Sequence, residues 1–291
     1  MAPMTAEAVR SLTPADLPAI VELAADRGWP PEESKWRLMF AVSEPFGVDD
    51  PAGGLAGAVV LTRYGPDLAA IGMMMVATRH GRKGLGARLL QYALARAGDA
   101  VVYLTATDYG RPLYERLGFR AIDNSVPYRG PLSASPLSAS PLPASRLTAP
   151  AAELLRPVGA ADAADLHAID TAVFGADRGR VLGTLPEFAD AFLTFGRPAR
   201  GYGAAWAKDG TRVIGPLVAP DLGGATALIA GLAEGWSGPV RIDVLGRHPD
   251  LAAWAQEGGL TAGEETALMV RGGDLPGDRA RLYCPVTVAI G

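Results

Sequence analysis

In the first third of the chain, a turn rich in glycine and basic residues stands between an apolar run and a patterned helix. The run is Ile71 to Val76. The turn reads Thr78-Arg79-His80-Gly81-Arg82-Lys83-Gly84-Leu85-Gly86, and Leu85, Leu89, Leu90, Leu94 and Ala97 then recur at the spacing of one helix face. Glycines allow such a turn to gather backbone N–H groups at the positive end of the following helix, an arrangement that binds pyrophosphate oxygens. Arg82 and Lys83 add side-chain charge beside them. The spacing is not that of a nucleotide-hydrolase loop, which needs Gly, four residues and Gly-Lys-Ser/Thr. Nor is it a dinucleotide fingerprint, because Gly84-Leu85-Gly86 continues as Ala87-Arg88-Leu89 and the next strand, Val101 to Leu104, ends in no acidic residue.

A second stretch, Leu104 to Phe119, predicts a late strand followed by a helix that closes in Tyr114-Glu115-Arg116-Leu117-Gly118-Phe119. Together the two stretches resemble the GCN5-related N-acetyltransferase (GNAT) superfamily, whose phosphate turn reads Gln/Arg-x-x-Gly-x-Gly/Ala and whose late helix ends in Tyr-Glu-x-Leu-Gly-Phe. Gly84, Leu85 and Gly86 match the second half of that turn. Gly81 stands where the family usually has Arg or Gln, and Arg82 where glycine is common, so the charge has moved one place. The resemblance implies acetyl-CoA as co-substrate, with Met75, Val76, Gly81, Arg82, Lys83, Gly84, Leu85, Gly86 and Ala87 around it. It also implies Tyr114 beside the sulfur, and Thr107 where the family often carries an asparagine. A tyrosine hydroxyl, with a reference pKa near 10, can hydrogen-bond or protonate a departing thiolate without being ionised itself at neutral pH. For the base that takes the amine's proton, Glu22, Asp26, Glu32, Glu33 and Asp108 are all candidates, and nothing in the sequence selects among them. Trp29 and Trp36, in Arg27-Gly28-Trp29…Trp36, resemble a Gly-Trp…Trp segment of a bacterial two-domain subgroup, which implies aromatic walls for the acceptor amine; closing a core is the equal alternative.

These residues need a scaffold, and the chain repeats one. Val9 to Ile20 predicts a short strand and a helix that Thr13, Pro14 and Asp16 start; Leu155-Arg156-Pro157 and Ala164 to Ile169 echo it. Ile71 to Ala77 is echoed by Ile214 to Ala219, Val101 to Leu104 by Val240 to Val244, and Gly118-Phe119 by Gly259-Leu260. Four echoes in one order indicate an internal duplication. Between the copies, residues 130–150 repeat Ser-Ala-Ser-Pro-Leu with almost no charge and predict an extended linker. The expected organisation is a cofactor-binding acetyltransferase domain at 1–129, the linker at 130–150 and a second, degenerate domain at 151–291. The fold class is α/β: two tandem units, each a mixed, mostly antiparallel sheet flanked by helices. In the second copy the phosphate turn becomes Pro220-Asp221-Leu222-Gly223-Gly224, with an acidic residue and no basic one, and Ala255 stands where Tyr114 does. Asp170…Phe174-Gly175…Asp177-Arg178 resembles a segment of the subgroup's second domain.

Bulk composition fits this picture. The 291 residues are 49% hydrophobic and 20% charged, with a net charge of −4, so no basic excess points to nucleic acid or an anionic membrane. One cysteine, Cys284, permits no intrachain disulfide and reads as a structural thiol. His80 reads as facing solvent or cofactor, and His167 and His248 lack metal-ligand spacing, so no metal is expected. With no signal-like start and no apolar run of about 18 residues, cytoplasm is the expected location. The expected reaction is acetyl transfer from acetyl-CoA to an amine of a small molecule. A non-catalytic acyl-CoA sensor is the alternative, and an inert scaffold that binds no coenzyme A the third reading.

Overall fold

The computed structural model describes residues 8–30, 32–132 and 154–290; most of the expected linker, 133–150, lies outside the described residues. In chain order the first half runs β1 (Arg10–Ser11), α1 (Leu17–Asp26), α2 (Glu33–Val42), β2 (Glu44–Asp49), β3 (Leu55–Arg63), β4 (Leu68–Val76), α3 (Leu85–Ala97), β5 (Val101–Ala106), α4 (Arg111–Arg116) and β6 (Arg120–Gly130). The second half runs β7 (Leu155–Pro157), α5 (Ala163–Phe174), α6 (Gly179–Phe188), β8 (Ala191–Phe195), β9 (Gly201–Lys208), β10 (Thr211–Val218), α7 (Leu222–Ala233), β11 (Val240–Leu245), α8 (Pro249–Glu257), β12 (Thr261–Ala262), β13 (Thr266–Arg271) and β14 (Leu282–Cys284).

The duplication shows first in how each half begins. Thr13 and Asp16 form a capping box around a single 3-10 turn that leads into α1, with the Thr13 amide donating to Asp16 Oδ2 at 2.7 Å. In the second half Asp162 repeats its side of the box, accepting the Gly159 amide at 2.8 Å, while glycine offers no side chain in return. The preceding strand supplies an arginine to each acid: Arg10 to Asp16, and Arg156 to Asp162. Charge is neutralised at the same place in both copies.

The strands form one continuous sheet in the order β1-β2-β3-β4-β5-β13-β6-β11-β10-β9-β8-β7. Neighbours are antiparallel except at one equivalent place in each half, β4 with β5 and β10 with β11. The two units expected from the sequence are interleaved. β13, from the second half, lies between β5 and β6, while β6 reaches across to pair with β11 through Ser125–Gly130. The exchange extends into the cores. Met269 of β13 is fully buried in the cluster under α3 and α4, and Tyr128 of β6 packs in the cluster under α7 and α8. On the opposite face, α1, α2, α5 and α6 share a single core. Among the described residues no helix is long and apolar enough to cross a membrane.

Because β5 and β6 meet only through β13, the first half alone would expose two unpaired strand edges and lose the Met269 side chain, whose burial is worth about 1.5–3 kcal/mol. Residues 1–132 expressed alone should aggregate or unfold without a cooperative transition. The same residues co-expressed with tagged 133–291 should co-purify and melt cooperatively.

Candidate acetyl-transfer site

The site begins with a strand that leaves its neighbour. β4 pairs with β5 from Leu68↔Val101 to Ile71↔Leu104 and no further, so Gly72 to Val76 has no strand partner on that side. The cause lies on the other edge. Between the pairs Ala58↔Met75 and Val60↔Gly72 the register with β3 shifts, a β-bulge that falls on Met73 and Met74. Met73 takes a left-handed conformation with φ 50°. For a non-glycine residue this costs about 1–3 kcal/mol and persists only where the surroundings impose it. The bulge turns β4 away and opens a cleft of about 660 Å³.

The phosphate-type turn forms one end. Gly84, at φ 84°, is the N-cap of the 13-residue helix α3, and Arg82 is also left-handed at φ 59°. Only glycine adopts such a cap without strain, and it turns the first amides of α3 toward the cleft. The turn is held from outside by Asp50, in the loop between β2 and β3. Its buried carboxylate accepts from the Ala52 amide at 2.8 Å, from Arg79 Nε at 2.7 Å and from His80 Nε2. Burial alone would raise the pKa of Asp50, but these three donors outweigh it and hold it at about 2. Asp26 secures the start of the turn by accepting the Thr78 amide at 2.6 Å.

Tyr114 stands at the other end of the cleft, on α4. It is 8% exposed, lies edge-on to Phe119, and fits because Gly110 leaves room: a Cβ there would sit 3.0 Å from its ring. Burial pushes its phenol up to about 12, so it is a proton donor throughout the neutral range.

Most of the residues expected at the site line this one cleft: Met75, Val76, Gly81, Arg82, Gly84, Leu85, Gly86, Ala87, Thr107, Tyr114 and Trp29. Two lie elsewhere. Lys83 donates its ammonium to the Arg79 carbonyl at 2.8 Å, bracing the turn from behind. Trp36 is 1% exposed, packed near Phe40 in the core that α1 and α2 share, because α2 turns it inward. None of the five candidate carboxylates lines the cleft. Glu32 is paired with Lys208 and Lys35, Glu33 with Arg37, and Asp26 with the turn. Sequence reasoning missed Arg27 and Tyr109, which face each other at the mouth with the guanidinium 5.7 Å from the ring. Tyr109 and Trp29 are the large hydrophobic side chains left exposed among the described residues, and both are at this opening.

The equivalent place in the second half is filled by the chain itself. β10 pairs with β11 only as far as Ile214↔Ile242, but beyond that point β14 hydrogen-bonds to β10 through Leu217↔Cys284 and Val218↔Leu282. Pro285 then passes so close to Gly215 that a Cβ there would meet its carbonyl oxygen at 2.3 Å. The tyrosine is absent as well. The Leu260 amide donates to Ala255 just as Phe119 donates to Tyr114, so Ala255 occupies the equivalent position. Cys284 is fully buried in this plug, and burial pushes its thiol well above the usual range.

Comparison with known proteins agrees with this geometry. Family models described as acetyltransferase (GNAT) domains match residues 39–132 and, separately, residues 166–284. The chain belongs to the GNAT superfamily. It is a tandem GNAT protein, and it is 27% identical over 285 residues, 94% of each chain, to YitH of Bacillus subtilis (strain 168), named an uncharacterized N-acetyltransferase. Its fold is similar to that of a provisional acetyltransferase from Pyrococcus horikoshii, with TM-score 0.78 at 20% identity over 98% of this chain and 95% of the other. It is also similar to a tandem GNAT protein from the clavulanic acid biosynthesis pathway, with TM-score 0.59 at 15% identity over 92% and 99%. The GNAT family uses acetyl-CoA. The residues present suit it: helix amides and Arg82 for phosphate, a length of unpaired β4 for the amide-bearing arm, and a protonated phenol beyond.

The Asp50 network makes the turn acid-sensitive. A carboxylate whose pKa is depressed in the folded state stabilises above its unfolded value and loses that contribution as the pH falls through about 2. Asp50→Asn should therefore lower stability by about 2 kcal/mol at neutral pH. It should also flatten the acid limb of stability between about pH 4 and pH 2, followed by thermal melting across that range.

Proposed function

We propose that the first half moves the acetyl group of acetyl-CoA directly to an amine of a small molecule. The observation that carries this reading is one cleft that joins a glycine-capped helix N-terminus to a buried, protonated tyrosine along a strand edge with no partner. Bound acetyl-CoA supplies an acetyl group activated on sulfur; the amine forms the new C–N bond, the C–S bond breaks to release a thiolate, and the amine nitrogen loses a proton. The α3 amides and Arg82 take the phosphates. The free edge of β4, from Gly72 to Val76, pairs with the arm and offers backbone N–H to the acetyl oxygen. Tyr114 donates its O–H to the departing sulfur.

The proton on nitrogen has no carboxylate to receive it among the described residues that line the cleft. His80 is there: Asp50 engages its Nε2, and its Nδ1 is buried with no hydrogen-bond partner, which leaves that nitrogen to take the proton directly or through water. The amine therefore arrives neutral or gives its proton to His80 or to water, so kcat/KM should rise with pH up to the acceptor's own amine pKa. The lack of a carboxylate base among the described residues of the cleft is what favours the second reading, an acyl-CoA-binding protein without catalysis. The two separate at Tyr114. Tyr114→Phe should lower kcat by roughly 10²-fold while calorimetry shows coenzyme A affinity unchanged. A protein that binds coenzyme A but turns over no amine, before or after that change, is the sensor. With the Tyr114 phenol at about 12, no alkaline loss of rate should come from it below about pH 11.

A further inference from the structure

Besides His80 Nδ1 in the cleft, buried polar groups without a partner lie behind its β5 wall. Side chains along β5 alternate: Val102, Leu104 and Ala106 face α3 and α4, while Tyr103 faces the core shared by α1 and α2. Thr105 shares the Tyr103 face. It is the one residue that lines both the cleft and a second cavity of about 30 Å³, whose walls also include Ser125, Leu268, Arg279 and Val288. Two polar atoms from these walls have no partner, Arg279 Nη2 and Ser125 Oγ, in residues only 9% and 2% exposed.

Arg279 is an unusual buried cation. Its Nε donates to the Pro276 carbonyl at 2.9 Å, and its guanidinium lies 4.0 Å over Phe174 and 6.0 Å from Tyr103. No described carboxylate forms an ion pair with it. The charged and titratable groups facing it are the Tyr103 and Tyr64 phenols and two like charges, Arg178 and Arg247; burial, joined by those two, brings it down to about 10, still protonated at neutral pH. Arg178 provides the contrast. It lies 4.0 Å over the same Phe174 ring, but Asp170 meets it at 2.6 Å. A buried cation is costly unless an anion is supplied, and the described residues supply one to Arg178 and none to Arg279.

We propose that the acceptor is an amine bearing a carboxylate, an amino acid or a close relative, and that Arg279 and Ser125 receive that carboxylate in the cavity behind Thr105. The assignment rests on the acetyl-transfer reading of the cleft and narrows its substrate class. Size supports it: about 30 Å³ is roughly twice what a single water needs, enough for the two oxygens of a carboxylate and too little for a whole second molecule. Charge supports it too. The titratable groups lining the cleft are Arg27, His80, Arg82, Arg116, Tyr109 and Tyr114, with no carboxylate among the described residues. A polyamine would meet only like charge there, whereas a zwitterion brings its own anion to Arg279. A guanidinium and a hydroxyl together bind a carboxylate by charge-assisted hydrogen bonds.

The test compares each of the standard amino acids with its own carboxamide, which keeps the amine and side chain and removes the negative charge. With the full-length protein and acetyl-CoA, coenzyme A release should favour the preferred acid over its amide by about 10²-fold in kcat/KM. Arg279→Gln should bring that ratio near one by raising KM for the acid, leaving the amide unchanged. Arg279→Lys should keep part of the preference, and Ser125→Ala should reduce it several-fold; these two milder changes guard against an Arg279→Gln variant that fails to fold. Amides used as well as acids would overturn the proposal, as would variants that slow acid and amide alike, or coenzyme A binding with no amino acid acetylated. Should coenzyme A itself fail to bind, the acetyl-transfer reading falls, and calorimetric titration of the same amino acids without cofactor decides the subsite alone. Binding weakened at least tenfold by Arg279→Gln keeps the subsite, and no binding removes it.

Discussion

A strand that departs from its neighbour in the middle of a sheet leaves backbone donors and acceptors that something must satisfy. That constraint governs both halves of this chain, and they meet it differently. In the first half the bulge at Met73 and Met74 swings β4 away from β5 and the edge stays open, facing a cleft that ends in a phosphate-type turn. In the second half β10 leaves β11 at the equivalent residue, and β14 comes back from the end of the chain to take the edge. One copy leaves its backbone edge open to the cleft, and the other fills it with its own chain. The missing basic residues and missing tyrosine of the second copy belong to the same change, because a slot filled by protein has no use for either.

What could be read from the sequence was whatever depends on residues close together in it. The turn from Gly81 to Gly86, the helix after it and the Tyr114 helix are local, and their geometry follows from glycine positions and apolar spacing. The capping box at Thr13 and its partial echo at Asp162 are local too. The exchange of β13 and β6 is not. A strand such as Thr266–Arg271 carries the same alternation whichever neighbours it finds, so nothing in its residues says that it lies between β5 and β6. Trp36 and Lys83 lie outside the cleft for a related reason. A tryptophan near an expected binding region looks the same whether α2 turns it inward or outward, and a lysine in a basic turn looks the same whether it reaches a phosphate or the Arg79 carbonyl. Arg27 and Tyr109 gave no signal alone; they matter because two loops far apart in sequence bring them together at the mouth.

Glycine selection in the two slots reflects how close the chain's end comes. A Cβ at Gly72 would meet the Ala289 carbonyl oxygen at 2.3 Å, as one at Gly215 would meet that of Pro285. The segment after β14 therefore runs first beneath the second copy's strand and then beneath the first copy's. There the Tyr64 and Tyr103 hydroxyls donate to the Ile290 carbonyl, Tyr103 at 3.0 Å. Both phenols are buried, and without that carbonyl their donors would be left unsatisfied at a cost of about 1–3 kcal/mol each. The closing residues thus tie the two slots together.

It follows that the second half is built into the sheet that carries the first half's cleft, although the described residues lining that cleft all come from the first half. It supplies β13, without which β5 has no neighbour beyond the cleft; it supplies the carbonyl that holds Tyr64 and Tyr103; and it supplies Arg279, a buried cation with no ion-pair partner among the described carboxylates. A duplicated enzyme that loses one active site is free to discard the idle copy only while the copies fold separately. Once β6 and β13 have changed places, each core contains a side chain of the other, Met269 in one and Tyr128 in the other, and neither half closes its core alone. The exchange thus makes the stability of each copy depend on the other.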